Sequence, residues 1–147
     1  MKALVIYDTQ YGNTEKVAKA IAGGISGGAE VHRITEIEPT NVKSLDLLII
    51  GAPTQGGRTT QAMQDFISKI PESSLKGANV AVFDTRLTNK LVGVFGYAAG
   101  RIEKTLKEKG ANMVVPAEGF FVKGAKGPVK DGEIERATDW AKKITVK

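Results

Sequence analysis

The chain has 147 residues, of which 41% are hydrophobic and 25% charged, proportions that are typical of a globular protein. It contains no cysteine, which excludes disulfides, iron–sulfur clusters and thiol chemistry. The net charge of +5 would suit an anionic partner. The basic residues are spread over predicted helical faces without an RNA-binding aromatic motif, however, so we expect no nucleic-acid partner.

The length of the chain predicts a single domain, residues 1–147. No apolar run approaches the roughly 20 residues that span a bilayer, so we expect no stable membrane insertion. The N-terminus lacks a basic region followed by a long apolar run, which predicts a cytoplasmic protein without an export signal.

The N-terminal stretch combines a strand, a polar loop and a helix. Ala3–Tyr7 is a short apolar run rich in β-formers, which predicts a buried strand. Thr14–Ala22 has apolar residues at helical spacing and is followed by two glycines, which predicts a helix. The polar residues between them precede the helix N-terminus, where free backbone N–H groups and the helix dipole favour an anion. An ordinary capped turn and a phosphate site both fit this stretch.

Two further strands and one helix follow. Glu30–Ile34 and Leu45–Ile50 predict strands, and the second is apolar enough to be buried on both faces. Gly51–Arg58 is a loop with three glycines and one proline. The next helix ends at Pro71 and places five apolar residues on one face, namely Ala62, Met63, Phe66, Ile67 and Ile70.

The second half of the chain continues this alternation. Asn79–Phe83 predicts a fourth strand, and Asp84–Arg86 is expected to open a loop after it. Met113–Val122 predicts a fifth strand that a proline and a glycine interrupt. The predicted helices of this half are Val94–Lys109 and Glu133–Ile144, the second with its tryptophan facing the core.

Strands and helices therefore alternate five times, which predicts an α/β protein with a parallel sheet and helices on both faces. Ligands of such sheets bind beyond the carboxyl ends of the strands, where the strand order reverses. The polar, glycine-rich loops after strands one, three and four share that edge. We therefore expect the ligand site there.

Two of these loops resemble those of flavodoxins. Thr9–Thr14 (TQYGNT) is similar to the flavodoxin phosphate loop, and Gly51–Arg58 (GAPTQGGR) is similar to the loop that holds the flavin ring. The resemblance covers the whole chain at the length of a short-chain flavodoxin, and the C-terminal part is similar to a basic branch of flavodoxin-like proteins. It implies a flavodoxin-like doubly wound five-stranded parallel sheet of strand order 2-1-3-4-5 that binds FMN.

The resemblance also implies the residues that hold the cofactor, with neither a catalytic residue nor a metal among them. The hydroxyls of Thr9 and Thr14 match those that hold the FMN phosphate together with backbone amides, and Gly12 lets the backbone approach closely. The peptide at Gly56 would turn its carbonyl toward flavin N5. The implied cofactor-binding residues are Thr9, Gln10, Tyr11, Gly12, Asn13, Thr14, Pro53, Thr54, Gln55, Gly56, Gly57, Arg58, Asp84, Thr85 and Arg86.

Three departures from the family pattern keep the function open. Tyr11 stands where threonine is usual in flavodoxins, and some quinone-reductase relatives also have tyrosine at this position. The second loop offers no aromatic residue to cover the flavin ring, and Tyr97 is the nearest aromatic after the third loop. The chain is also basic, whereas flavodoxins are usually acidic.

Three functions therefore fit the sequence. The first is an FMN-binding electron-transfer protein, whose partners would be redox partner proteins or a quinone. The second is an NAD(P)H:quinone oxidoreductase of the same fold. The third is a module without flavin that binds another phosphate compound or a partner protein. Either a monomer or a homodimer fits the sequence.

Positive charge near the flavin would affect its reduction. Arg58, Arg86 and Lys90 lie in the two loops expected near the ring, and positive charge favours the anionic reduced cofactor. We therefore expect a less negative potential for full reduction than in acidic flavodoxins. The apolar stretch Leu91–Tyr97 is expected to form either the buried first turn of the next helix or a hydrophobic lip for a partner subunit or a quinone.

Overall fold

The computed structural model describes residues 1–55, 58–87 and 97–144, and these residues form one parallel sheet flanked by helices. The strands are β1 (Ala3–Tyr7), β2 (Glu30–Arg33), β3 (Leu47–Pro53), β4 (Asn79–Leu87), β5 (Asn112–Met113) and β6 (Glu118–Val122). Their order is β2-β1-β3-β4, with β5 and β6 both paired to the outer side of β4. The predicted order 2-1-3-4-5 is therefore confirmed, with two short strands sharing the fifth position.

Helices cover both faces of this sheet, as the alternation predicts. They are α1 (Asn13–Gly24), α2 (Gln61–Lys69), α3 (Glu72–Leu75), α4 (Ala98–Glu108) and α5 (Glu133–Lys142), with a 3-10 turn at Pro39–Asn41. Among the helices described, none is both long and apolar enough to cross a bilayer.

Each central strand contributes to two hydrophobic cores. Val5 and Ile49 pack with α1 and α5 on one face, whereas Ile6 and Ile50 pack with α2 and α4 on the other. This division follows from the alternation of side chains along a strand. It explains why the central strands are apolar at nearly every position, because both of their faces are buried.

Three aromatic rings lie within the core beneath α1 and α5. Phe83, Phe120 and Trp140 meet edge to face, with ring centroids 5.9 to 6.4 Å apart. The predicted inward position of Trp140 is confirmed, since the residue is 9% exposed. Gly51 of β3 makes room for this cluster, because a Cβ at that position would lie 2.0 Å from the Phe83 ring.

Two stretches that were predicted to be loops are strand instead. β3 continues through Gly51–Pro53 and β4 through Asp84–Arg86. The reason is the ladder itself, because β4 pairs with β3 on one side and with β6 on the other along these residues. Such pairing satisfies the backbone whatever the side chains are, so the polar composition of Asp84–Arg86 is misleading.

The predicted fifth strand, Met113–Val122, is broken where the sequence contains a proline. Residues 114–117 separate β5 from β6, and Pro116 lies in that break because proline has no N–H for a ladder. Gly119, also expected to interrupt the strand, lies inside β6. In the predicted helix Val94–Lys109, α4 begins at Ala98, and residues 94–96 are outside the described part of the chain.

Candidate functional site

A cleft of about 260 Å³ opens at the carboxyl edge of the sheet, beyond the ends of β1, β3, β4 and β6. This is the edge at which the sequence predicts a ligand site. The residues that line the cleft are Thr9, Gln10, Tyr11, Asn13, Thr14, Pro53, Thr54, Gln55, Thr85, Arg86, Leu87, Val122 and Ala125.

The first loop leaves the N-terminus of α1 open toward the cleft. Gly12 precedes the helix with a φ of 91°, a left-handed conformation that glycine adopts without a steric penalty. No side chain caps the first turn within the described residues. The Gly12 N–H donates to Thr9 Oγ1 at 2.9 Å, so the Thr9 hydroxyl proton stays available for another acceptor. The uncapped N–H groups and this hydroxyl suit an anion.

A pair of buried hydroxyls joins α1 to β4 at the floor of the cleft. Thr14 Oγ1 lies 2.9 Å from Thr85 Oγ1, and the two residues are 1% and 5% exposed. One hydroxyl donates to the other, which leaves one of their two protons for a ligand. The pair therefore adds a second hydroxyl donor near the helix N-terminus.

Asp8 ties the first loop to two neighbouring elements. Its carboxylate accepts a hydrogen bond from the Thr60 hydroxyl at 2.6 Å and one from the Thr9 N–H at 2.9 Å. Arg33 Nη2 lies 3.8 Å from the same carboxylate and donates to the Thr9 carbonyl at 2.7 Å. These contacts fix the position of Thr9, so Asp8 and Arg33 support the site without lining it.

Asp84, which is fully buried, forms an ion pair with Arg86, which lines the cleft. Arg86 Nε and Nη2 donate to the two Asp84 oxygens at 2.6 and 2.8 Å, and the Ala99 N–H donates to Asp84 at 2.9 Å. Burial raises the pKa of the Asp84 carboxyl, and the Arg86 guanidinium and the Ala99 N–H oppose that rise. The Arg86 guanidinium also lies 3.4 Å from the centroid of the Tyr97 ring.

This pairing bears on the positive charge that we expect beside the ligand, which stays a prediction. Arg86 lines the cleft, but its positive charge is paired with the Asp84 carboxylate. Arg58 lines a different cavity, between α2 and α4. Lys90, the third residue of that expectation, lies outside the described residues, as does most of the stretch Leu91–Tyr97.

The structure brings ten of the fifteen predicted site residues together around the cleft. Gly12 lies just behind them at the start of α1, whereas Asp84 is fully buried and does not reach the cleft. Gly56 and Gly57 lie outside the described residues. Five predicted residues are therefore not among those found to line the cleft, namely Gly12, Gly56, Gly57, Arg58 and Asp84.

Sequence reasoning missed the apolar part of the cleft wall. Leu87, Val122 and Ala125 line it in addition to the predicted residues. Val122 carried a signal, because it ends the predicted fifth strand and therefore has to lie at the carboxyl edge. Leu87 carried none, since β4 was expected to end at Phe83.

The chemistry of this lining fits a phosphorylated ligand with a flat body. The hydroxyls and the α1 N-terminus suit the phosphate, while Pro53, Leu87 and Val122 offer an apolar wall. Among the described residues that line the cleft there is neither a carboxylate nor a histidine, so they offer no acid–base pair. The arrangement is suited to binding and orienting a ligand.

Comparison with known proteins identifies the group to which this arrangement belongs. The sequence profile of the Flavodoxin family matches residues 5–140. The chain belongs to the flavodoxin family. It is 26% identical over 160 aligned residues to Flavodoxin 1 of Escherichia coli K12, an alignment that covers 96% of this chain and 91% of that protein.

Solved structures agree with this flavodoxin-family fold. A flavodoxin from the domain Archaea superposes with a TM-score of 0.81 at 22% identity, covering 98% of this chain and 96% of that one. A flavodoxin, WrbA-like protein from Agrobacterium tumefaciens gives a TM-score of 0.73 at 19% identity, covering 97% and 94%. At these identities the two structures establish the shared fold alone.

Proposed function

We propose that this flavodoxin-family protein binds FMN in the cleft and transfers electrons. The observation that carries the proposal is the uncapped N-terminus of α1, surrounded by the hydroxyls of Thr9 and Thr14, at the end of a partly apolar cleft. When bound, FMN supplies the redox chemistry, and the protein supplies binding and electrostatics.

The phosphate of FMN would be held by neutral donors. Thr9 and the Thr14–Thr85 pair each have a hydroxyl proton to donate, and the first turn of α1 adds backbone N–H groups. Gly12 has no heavy atom within 4 Å of the position that a Cβ would occupy, so the loop is open on that side. These neutral donors would therefore hold the phosphate without a lysine.

The flavin ring would lie between the other walls of the cleft. Pro53, Leu87 and Val122 provide apolar contact, and the amide side chains of Gln10 and Gln55, which hydrogen-bond to each other, provide polar groups at the rim. The role of the Gly56 carbonyl at flavin N5 stays a prediction, because that residue lies outside the described part of the chain.

The proposal is tested first by the cofactor itself. The protein purified or reconstituted with flavin should show flavin absorbance, and heat release followed by chromatography should give FMN. Recovery of FAD, or a colourless protein after reconstitution, would contradict the proposal. The colourless result would favour the third function, a module that binds another phosphate compound or a partner.

Alanine variants test which groups hold the phosphate. Thr9→Ala and Thr14→Ala each remove a hydroxyl donor to a charged acceptor, a hydrogen bond of roughly 1.5–3 kcal/mol. Each should therefore raise the Kd for FMN about tenfold or more. Thr40→Ala, an exposed threonine in the 3-10 turn, is the matched control and should leave the Kd unchanged. An unchanged Kd in the Thr9/Thr14 double variant would place the phosphate elsewhere.

One observation favours an enzyme as the second candidate function. The Tyr11 side chain lies at the rim of the cleft and is 48% exposed, so it is accessible to a second substrate. Oxidation of NADPH by the FMN-loaded protein, coupled to quinone reduction, would support a quinone oxidoreductase. Electron transfer to a redox protein without direct NADPH oxidation would support a carrier.

A further inference from the structure

The connections that surround the cleft are more basic than acidic. They are the segments that follow β1, β3, β4 and β6, namely residues 8–12, 54–60, 88–97 and 123–132. In the sequence these segments contain five basic residues, which are Arg58, Lys90, Lys123, Lys126 and Lys130. They contain two acidic residues, Asp8 and Asp131.

The carboxylates at this edge of the sheet are either buried or next to a cation. Asp8 is 8% exposed and already accepts two hydrogen bonds, and Asp84 is fully buried against Arg86. Asp131 is exposed and lies 3.8 Å from the Lys123 ammonium. In the first turn of α1, Glu15 lies 3.3 Å from Lys19. None of these four carboxylates therefore presents an unpaired negative charge beside the cleft.

Two exposed cations flank the mouth of the cleft. Arg58 and Lys126 form no ion pair with a carboxylate in the part of the chain that the structure describes. Arg58 exchanges two backbone hydrogen bonds, of 2.8 and 3.0 Å, with Gln55 of the cleft. Lys126 follows Ala125 of the cleft wall, and its Nζ lies 6.0 Å from the centroid of the Tyr11 ring. We call Arg58, Lys126 and Tyr11 the basic rim.

The composition of the basic rim suits a protein partner. Tyr11 is one of the few large hydrophobic residues that the structure exposes, and tyrosine and arginine are enriched among the residues that dominate protein interfaces. Proteins that bind DNA contact about 6–10 phosphates, whereas the basic rim offers two cations without a carboxylate partner. A protein with an acidic surface is therefore the better match.

We propose that the basic rim docks an acidic redox protein over the mouth of the cleft. Carboxylates of that partner lie against Arg58 and Lys126, and the exposed Tyr11 ring contacts the partner beside Lys126. Opposite charges on the two surfaces speed association and select the partner. The redox role of this docking rests on the proposed FMN binding, whereas the docking itself depends only on the surface.

Titration with two redox proteins of opposite charge tests the docking. Plant-type ferredoxin is acidic and should bind the FMN-loaded protein saturably, with NMR shift changes at Tyr11, Arg58 and Lys126. Binding should weaken when the ionic strength rises from about 10 to 150 mM, because the Debye length falls from about 30 to 8 Å. Mitochondrial cytochrome c is basic and should not bind. Absence of ferredoxin binding, or tighter binding of cytochrome c or of a single-stranded DNA oligonucleotide, would overturn the proposal.

Charge-reversing variants locate the docking surface. Arg58→Glu and Lys126→Glu should each weaken ferredoxin binding about fivefold, the size expected when one exposed ion pair is lost. The double variant should in addition bind cytochrome c, a gain that misfolding does not produce. Lys76→Glu is the matched control, because it makes the same charge change at an exposed residue near the amino end of β4. Equal weakening by Lys76→Glu would show attraction by net charge alone and refute the docking surface.

The same titration without FMN separates this proposal from the proposed function. A protein that takes up no flavin but binds ferredoxin at the basic rim would contradict FMN binding and leave the docking supported. A protein that shows flavin absorbance but does not bind ferredoxin would contradict the docking alone.

Discussion

Replacing Arg86 by methionine should lower the free energy of unfolding, because it leaves the buried Asp84 carboxylate without its ion-pair partner. Asp84 is fully buried, and Arg86 is its ion-pair partner with a side chain that is 15% exposed. Methionine keeps the length and the apolar stem of arginine but removes the positive charge and both hydrogen bonds. The Ala99 N–H would remain as a hydrogen-bond donor to Asp84.

The expected loss in the free energy of unfolding is large for a single substitution. Removing one partner of a buried ion pair costs roughly 3–5 kcal/mol, because an uncompensated charge is left behind. The remaining Ala99 N–H favours the lower end, about 3 kcal/mol. For a chain of this size each kcal/mol corresponds to about 2–4 °C in Tm, so Arg86→Met should lower Tm by roughly 6–12 °C.

The loss should depend on pH in a defined direction. Burial raises the pKa of Asp84, and Arg86 is the first of the groups that oppose this rise, so removing it raises the pKa further. A carboxyl whose pKa is raised on folding contributes most to stability at low pH, and this contribution is lost as the pH rises through the folded-state pKa. The difference between Arg86→Met and the unmodified protein should therefore be greatest near pH 7.5 and smaller at pH 5.

Urea unfolding at both pH values, followed by circular dichroism, measures these differences. The double variant Asp84→Asn/Arg86→Met should regain at least about 1 kcal/mol over Arg86→Met alone, because no charge is then buried. Arg58→Met is the matched control and should change the free energy of unfolding by no more than about 0.5 kcal/mol, since that arginine is exposed. A loss below 1 kcal/mol, or an equal loss at both pH values, would refute the reasoning.

Three further perturbations follow from the structure. Gly51→Ala places a Cβ 2.0 Å from the buried Phe83 ring, so thermal unfolding should show a clear drop in Tm, and an unchanged Tm would mean that the ring moves freely. Burial, followed by the hydrogen bond to Glu15, raises the pKa of Tyr7 to about 12. Because the unfolded chain loses this proton first, stability should fall between pH 10 and 12, and Tyr7→Phe should reduce that fall in pH-dependent urea unfolding. Asp8→Ala removes the acceptor of two hydrogen bonds, so it should cost about 2 kcal/mol in unfolding experiments and weaken FMN binding through the displaced first loop.

Much of the fold follows from hydrophobic patterning. The strand predicted at Ala3–Tyr7 has the bounds found in the structure, and the helix predicted at Thr14–Ala22 lies within α1. The cleft also follows, because parallel strands bring the loops after their carboxyl ends to one edge. That these loops bind FMN is a separate, chemical statement and stays a proposal.

The rest depends on contacts between residues that are distant in the sequence. Asp84 and Arg86 look like loop residues by composition, and only their pairing with β3 and β6 makes them strand. Arg33 reaches the Thr9 carbonyl across 24 positions of the chain. The position of the Arg58 side chain depends on how α2 packs beside α4. Local sequence patterns contain none of this information.

The break between β5 and β6 also bears on how the molecule behaves at high concentration. A long, straight outer strand offers a row of open N–H and C=O groups to any other sheet. Here the strand beside β4 is interrupted at residues 114–117, and Pro116 has no N–H to offer. An approaching strand could therefore form only a few consecutive hydrogen bonds along this side. The interruption that divides the fifth strand in two thus disfavours edge-to-edge association along this side of the sheet.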